Sequence, residues 1–334
     1  MMQVIFSLFL TLAIILCGCN KPKSPLDIIP KLPILIDIGD KEKIVFCCGY
    51  DLYAIDPNEP GIVDPDENYE QILLPSPYQE GCPQWLPDGK RFVFSSIYPF
   101  KETKFYMIDF NKKRVFDMEK MYKKLLKYGL NDGPNWSLDC KKIIFSGGDS
   151  IYIADANGDN IKKIVDIPSD EFASSISFFP DSKRILFSFQ SLKDKTKKGI
   201  YRMDIATRKW NRLTYNNIIK ASHPCCSPDG SKIVFEGRSP SEKWQRIYIM
   251  DADGGNLHRL TKDDDPKRIC EWQASWSPDS KKVVFTGVLK VKKNRSRSEL
   301  FIVNVDTRKL EQLTYTSKTS SHSPSWRPRP KFLK

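Results

Sequence analysis

A ten-residue motif that recurs five times constrains this chain more than any other feature of its sequence. Each copy starts at an aromatic or cysteine residue, passes through a segment of the Ser-Pro-Asp-Gly-Lys type, and ends in two apolar residues and phenylalanine. The copies occupy residues 85–94, 136–145, 178–187, 226–235 and 276–285. Self-similarity at an interval of 40 to 50 residues is typical of proteins built from repeated supersecondary units.

The residue types within the motif predict a tight hairpin followed by strands. Proline fixes φ at the first corner of a turn, aspartate suits the second, and glycine takes the left-handed third position. In three copies Cys140, Ser182 or Ser280 replaces that glycine. A β-branched and aromatic segment of the Ile-Tyr-Ile-Met-Asp type then follows each copy, as at residues 247–251. This composition favours half-buried strands, and four strands per repeat match one blade of a propeller.

The two ends of the chain supply complementary parts of one more blade. Lys43-Ile-Val-Phe46 and Leu52-Tyr-Ala-Ile-Asp56 provide a second and a third strand without a first strand before them. Pro324-Ser-Trp326 provides a first strand with nothing after it. We therefore predict an all-β fold, a six-bladed β-propeller of four-stranded blades over residues 41–330, closed by the C-terminal strand in blade one. Such closure removes the open sheet edges on which proteins aggregate.

These motifs resemble the WD40-like propeller repeat of the TolB family, and the resemblance covers about residues 41–330. It implies a propeller that works in the cell envelope by binding other proteins. TolB proteins also have an α/β domain ahead of the propeller, for which this sequence leaves no room. The fold of the family is therefore expected here, whereas its full role does not follow.

Residues 119–130 predict a short amphipathic helix inserted between blades two and three, packed on the rim or facing a partner.

The N-terminal segment predicts export and lipid anchoring. Residues 1–18 are uncharged and mostly apolar, too short to span a bilayer comfortably, and end before Cys19 in a sequence that resembles a bacterial lipobox. We interpret 1–18 as a lipoprotein signal peptide, Cys19 as the lipidation site, 19–40 as a Pro-rich tether and 331–334 as a basic tail. An uncleaved anchor helix or an ordinary signal peptide are the alternatives. The expected location is the cell envelope, with the protein membrane-anchored and facing the periplasm or the exterior.

The charge of the chain restricts its partners further. The net charge of +12 is spread along the chain, with concentrations at Lys290–Arg297 and Arg327–Lys334, so we expect no nucleic acid partner. An anionic lipid, cell-wall or acidic protein surface fits this charge better.

Seven cysteines follow Cys19, and none has the spacing of a metal or redox motif: Cys47, Cys48, Cys82, Cys140, Cys225, Cys226 and Cys270. We expect most of them to be buried thiols, and one or two disulfides would be compatible with the sequence.

No sequence motif for catalysis or for a cofactor is present, and we expect neither a cofactor nor a metal. Nucleophile elbows, zinc-binding helices and phosphate-binding glycine loops are all lacking. Oligogalacturonate lyases are built on similar repeats and hold a metal with histidines at the propeller centre. Here His223 and His322 fall on first strands and are candidates for the channel mouth, whereas His258 falls on an outer strand. Two histidines are fewer than the three protein ligands of a usual catalytic zinc site.

Together these observations predict a non-catalytic, lipid-anchored propeller, monomeric, that acts as a platform for protein-protein interaction. The expected partner is an envelope protein or peptide, and the TolB resemblance implies a Pal-like one. The alternative is a carbohydrate-active or sugar-binding propeller that uses the central channel as oligogalacturonate lyases do. A third hypothesis, a structural spacer, makes no prediction that one sequence can test.

Overall fold

The computed structural model describes residues 42–49, 51–58, 70–72, 79–97, 103–130, 133–148, 150–167, 170–215, 218–261, 265–292, 295–316 and 319–329. These residues form six four-stranded antiparallel sheets, arranged as the six blades of the predicted propeller. The predicted signal peptide, lipidation site Cys19, tether and basic tail lie outside the described residues. In the described part of the chain no helix is long and apolar enough to span a membrane.

The first three blades contain the start of the chain and its final strand. Blade one contains β1 (Ile44–Cys48), β2 (Asp51–Ile55), β3 (Glu70–Gln71) and the closing strand β24 (Ser321–Trp326). Blade two contains β4 (Gln79–Trp85), β5 (Arg91–Ile97), β6 (Thr103–Asp109) and β7 (Arg114–Asp117). Blade three contains β8 (Asn135–Trp136), β9 (Lys142–Gly147), β10 (Ser150–Asp155) and β11 (Lys162–Asp166).

The other three blades follow one another along the chain. Blade four contains β12 (Glu171–Phe178), β13 (Arg184–Ser191), β14 (Gly199–Asp204) and β15 (Trp210–Arg212). Blade five contains β16 (Lys220–Cys226), β17 (Lys232–Arg238), β18 (Arg246–Asp251) and β19 (His258–Arg259). Blade six contains β20 (Arg268–Trp276), β21 (Lys282–Lys292), β22 (Arg295–Asn304) and β23 (Leu310–Gln312).

The predicted hairpin turns form as the sequence indicates. In each one the N–H of the third-position residue donates to a carbonyl three residues earlier, as from Gly89 to Leu86 at 3.0 Å. Gly89 and Gly230 have φ of 61° and 75°. The residues that replace glycine adopt the same left-handed conformation, with φ of 55° at Cys140, 53° at Ser182 and 62° at Ser280. Side chains other than glycine are therefore tolerated at this position at a cost of about 1 kcal/mol each.

A Leu-Thr pair recurs at the end of a repeat. It continues the backbone pairing where the outer strand is shorter than the third strand beside it. Leu213 N–H donates to the Ile200 carbonyl, and the Thr214 hydroxyl accepts the Ile200 N–H at 2.9 Å. Leu313 and Thr314 do the same for Leu300. The threonine side chain thus pairs a backbone N–H that the outer strand does not reach, in a buried place where an unpaired donor is costly.

The predicted helix is present and shorter than expected. Helix α1 (Glu119–Leu126) follows β7 and buries Met121, Tyr122 and Leu125. The ring of Tyr122 stacks on Phe105 of blade two with centroids 3.8 Å apart. Met121, Tyr122 and Leu125 also share a core cluster with Trp136 and Ile143 of blade three. The helix therefore packs on the rim and fills the space between two blades.

The ring closes through the last strand, as predicted. Strand β24 pairs antiparallel with β1, with Trp326 opposite Ile44 and Ser321 opposite Cys48. The indole of Trp326 is buried and donates from Nε1 to Glu42 Oε1 at 2.7 Å, across 284 positions of sequence. Beyond the strand, Arg327 Nε donates to the Gly89 carbonyl of blade two.

We predict that Trp326→Ala lowers the free energy of unfolding by about 3–5 kcal/mol, the usual cost of deleting a buried aromatic side chain. Urea denaturation followed by tryptophan fluorescence and circular dichroism measures the change. Trp244→Ala serves as a matched control because 43% of that side chain is exposed, and we expect it to cost less than about 1 kcal/mol. Equal unfolding midpoints for Trp326→Ala and the unmodified protein would contradict closure through this strand.

Candidate functional site

The candidate site is a central cavity at the axis of the ring. It has a volume of about 860 Å³ and opens on the face that carries the Pro-Asp turns, which we call the turn face. The first strands of all six blades and the turns after them form its wall. Its lining includes Trp85, Trp136, Phe178, Cys226, Trp276 and Trp326, which occupy the same position in successive repeats.

The residue before each of these positions forms a ring of mostly small polar side chains: Gln84, Asn135, Ser177, Cys225, Ser275 and Ser325. Several of them join one blade to the next. Ser325 Oγ accepts the Trp85 N–H at 3.1 Å, and Ser275 Oγ accepts the Trp326 N–H at 3.0 Å. In blade three Asn135 Oδ1 accepts the Phe178 N–H at 3.3 Å. The wall is therefore held in place by the same polar side chains that line it.

The cavity thiols are unsuited to nucleophilic chemistry. Burial raises the pKa of Cys225 to about 11 and raises the pKa of Cys226 further, so both remain protonated near neutral pH. The Cys225 carbonyl accepts a hydrogen bond from Trp276 Nε1 at 3.0 Å. The seven cysteines after Cys19 are all free thiols in the structure. Cys225 and Cys226 thus serve as apolar side chains in the cavity wall.

Carboxylates in the hairpin turns around the cavity accept hydrogen bonds within those turns. Asp139 accepts from Ser137 Oγ at 2.7 Å and from the Lys141 N–H at 3.0 Å, and these bonds, the Ser137 bond first, lower the pKa of Asp139. Asp229 and Asp279 accept from Ser227 and Ser277 in the same way. The exposed side chains of the rim include Leu138, which is 37% exposed, and Arg329, whose guanidinium lies 3.4 Å from Glu42.

The two candidate histidines lie on first strands, in blades five and one, with blade six between them. Neither is among the residues that line the central cavity. The exposed ring of His223 has Nδ1 3.1 Å from the buried carboxylate of Glu236. His322 is half-buried, which lowers its pKa, and its Nδ1 lies 3.0 Å from Ser323 Oγ. Their role at a channel mouth stays a prediction. His258 lies on the outer strand β19, as expected.

No group of three or more His, Cys, Asp or Glu side chains within the described ranges is arranged to hold a metal ion.

Sequence reasoning missed a bulge that recurs in the first strands. Its central residue has a positive φ between 49° and 56° in five blades, at Cys82, Ser175, His223, Gln273 and Ser323. None of these residues is glycine, so the usual signal for such a conformation is absent.

In blades five, six and one the bulge turns a backbone N–H towards the preceding blade, where a polar side chain accepts it. The N–H of His223 donates to Ser188 Oγ at 3.1 Å, and that of Gln273 donates to Glu236 Oε1 at 2.8 Å. The N–H of Ser323 donates to Thr286 Oγ1 at 3.2 Å. The acceptor directly follows the last phenylalanine of the ten-residue motif. The sequence signal for these acceptors is a polar residue directly after that phenylalanine, inside a strand of otherwise apolar residues.

The fold and the cavity define a class of protein: a closed six-bladed propeller with an open, preformed pocket on its axis. The family described as the TolB beta propeller domain matches residues 134–333, more than half of the chain. The chain belongs to this family. No curated protein sequence gives a significant match.

Solved structures show the same architecture. The TolB of Acinetobacter baumannii aligns over 87% of this chain and 68% of its own, with 24% identity and a TM-score of 0.62. A protein assigned as TolB from Agrobacterium tumefaciens aligns over 86% of this chain and 99% of its own, with 18% identity and a TM-score of 0.56. An oligogalacturonate lyase in complex with manganese aligns over 82% and 74% of the two chains, with 17% identity and a TM-score of 0.50. At these identities the likeness concerns the fold.

We predict that Asp139→Asn destabilises the protein at pH 7 and has a smaller effect at pH 3. A carboxylate with a lowered pKa in the folded state stabilises that state above its unfolded pKa of about 3.9, and this contribution is lost as the pH falls through the folded value. Urea denaturation at the two pH values measures the difference. Asp253→Asn, at an exposed turn where the carboxylate accepts the Gly255 N–H, is the control. If Asp139→Asn destabilised the protein equally at both pH values, the lowered pKa of Asp139 in the folded state would be contradicted.

Proposed function

We propose that this chain is a non-catalytic envelope protein whose propeller binds a segment of another envelope protein at the central cavity. The observation that carries this proposal is the cavity itself, about 860 Å³, with walls from all six blades. Pockets that bind ligands commonly measure about 300–1,000 Å³ and combine apolar walls with a few fixed polar groups. Membership in the TolB propeller family supports a protein as the partner, and we propose a Pal-like protein.

The chemistry of the wall indicates what such a segment would contain. The Trp, Phe and Cys side chains of the repeats offer apolar contact, while Leu138 adds an exposed apolar group at the rim. Carboxylates of Asp181, Asp229 and Asp279 lie along one part of the rim, and Arg329 lies along another. A peptide with apolar side chains and at least one cationic side chain fits this distribution.

The non-catalytic part of the proposal rests on the ionisable groups of the cavity. The thiols are held protonated by burial, and turn hydrogen bonds occupy the Asp181, Asp229 and Asp279 carboxylates. A general base needs a lone pair near its substrate and a pKa near the working pH. The sugar-binding alternative stays a prediction, since the likeness to oligogalacturonate lyase concerns the fold.

We also propose that the protein is a monomeric lipoprotein of the cell envelope, anchored through Cys19. The described chain begins at Glu42, which lies beside Arg329 at the cavity rim, so the tether joins the propeller on the turn face. The segment 20–41 reaches at most about 75 Å when fully extended. An anchor of this length leaves the cavity accessible to a partner.

We predict that Leu138→Asp weakens binding of the partner at least about tenfold, because it places a charge among apolar contacts at the rim. The partner is first isolated from solubilised envelopes with the unmodified protein, and its affinity is then measured by calorimetry. Leu192→Asp is the matched control: Leu192 is 65% exposed and follows β13 on the opposite face.

If Leu138→Asp and Leu192→Asp weakened partner binding equally, the partner would bind elsewhere on the propeller. Recovery of no stoichiometric partner, together with cleavage of a saccharide by the purified protein, would overturn the proposal in favour of the sugar-active alternative.

For the anchor, we predict that Cys19→Ser moves the protein from the membrane fraction to the soluble fraction of the envelope. The expected cause is loss of acyl chains, each buried CH₂ of which contributes about 0.8 kcal/mol to membrane binding. Fractionation with immunodetection, together with intact mass of the mature protein, gives the result. Cys47→Ser is the control. A protein that stays membrane-bound and shows no acyl mass in either form would contradict lipidation.

A further inference from the structure

The hairpin of β21 and β22 in blade six is longer than its counterparts. Strand β21 has 11 residues, against 5 to 8 in the second strands of the other blades. At about 3.3 Å per residue, three or more extra residues extend the hairpin about 10 Å or more. It extends away from the turn face, past what we call the distal face, which carries the loops between second and third strands.

The projecting part of the hairpin is strongly basic. Lys290, Lys292 and Arg295 are all exposed, and none forms an ion pair within the part of the chain that the structure describes. The sequence from Val288 to Ser298 contains no acidic residue. The next carboxylate, Glu299, is fully buried, lies 2.8 Å from Arg297 Nε in an ion pair and accepts hydrogen bonds from two threonines. The described residues of the hairpin tip therefore carry cations and no acidic side chain of their own.

Exposed apolar and aromatic side chains accompany these cations. Val291, between Lys290 and Lys292, is 45% exposed, and Tyr315, in the next connection on the distal face, is also 45% exposed. Tyr315 adjoins the hairpin because its neighbour Thr316 donates to Glu299 at 2.8 Å. On the other side, the Lys290 N–H donates to the carbonyl of the exposed Lys267 at 2.7 Å. Cationic and apolar groups thus form a patch around the hairpin, bordered by Asp265 beside Lys267.

From this patch we infer a membrane contact: the hairpin of blade six docks the distal face on an anionic lipid surface. A projecting hairpin reaches a planar surface before the rest of the distal face does. Lysine and arginine are attracted to anionic headgroups, while tyrosine and small apolar side chains suit the boundary between headgroups and acyl chains. The patch lies opposite the turn face, so this contact leaves the central cavity pointing away from the lipid.

The test uses residues 42–334, which carry all six sheets, so that an acyl chain cannot cause binding. Sedimentation measures partition onto vesicles of phosphatidylglycerol and phosphatidylcholine, compared with vesicles of phosphatidylcholine alone. We expect binding to the anionic vesicles only, weakened by salt. Lys290→Glu with Lys292→Glu should weaken it at least about tenfold, since each cation near such a surface contributes roughly a fivefold effect. Val291→Ser should weaken binding to anionic vesicles by a smaller factor.

The control is Lys141→Glu with Lys183→Glu, which changes the net charge equally at exposed positions of the turn face. We expect it to retain binding within about twofold. Circular dichroism and the urea midpoint should match the unmodified protein for both double variants. Absence of any preference for anionic vesicles, or an equal loss in the control, would overturn the inference. Binding to an acidic protein or a polynucleotide through the same lysines, without vesicle binding, would also overturn it.

Discussion

The pairing of β24 with β1 is the interaction on which the rest of the structure depends. In a propeller each blade packs on two neighbours, so a ring with one incomplete blade has two open faces. Here the missing first strand of blade one comes from the far end of the chain, and Trp326 brings a buried indole to the junction. The central cavity needs this strand as well, because Ser325 and Trp326 are part of its wall.

Around the ring, polar side chains connect blades at places where apolar packing alone would leave backbone groups unpaired. Bulges in the first strands direct N–H groups at the preceding blade, and Ser188, Glu236 and Thr286 accept them. Ser275, Ser325 and Asn135 accept further N–H groups at the cavity wall. Buried polar groups with fixed partners specify one arrangement of blades, since any rotation of a blade would leave donors without acceptors.

Much of this fold could be predicted from sequence because its signals are local and repeated. The turn motif, including the left-handed Cys140, Ser182 and Ser280, depends on a few adjacent residues, and so does helix α1. The blade count follows from the complementary ends. The bulges were not predicted because they depend on contacts between blades, and their residues, such as Gln273, have no intrinsic preference for positive φ. The cavity wall was not predicted for the same reason: six distant segments meet there.

The long sequence separation at the junction has a consequence for how the protein is made. Glu42 and Trp326 are 284 positions apart, so the start of blade one is synthesised long before the strand that completes it. Until then β1 presents unpaired N–H and C=O groups, and its apolar residues Ile44 and Phe46 lack their final neighbours. A nascent chain in this condition is open to pairing with strands of other chains. This exposure ends only when β24 is free to pair with β1, and a chain that stops before Ser321 keeps the open edge of β1.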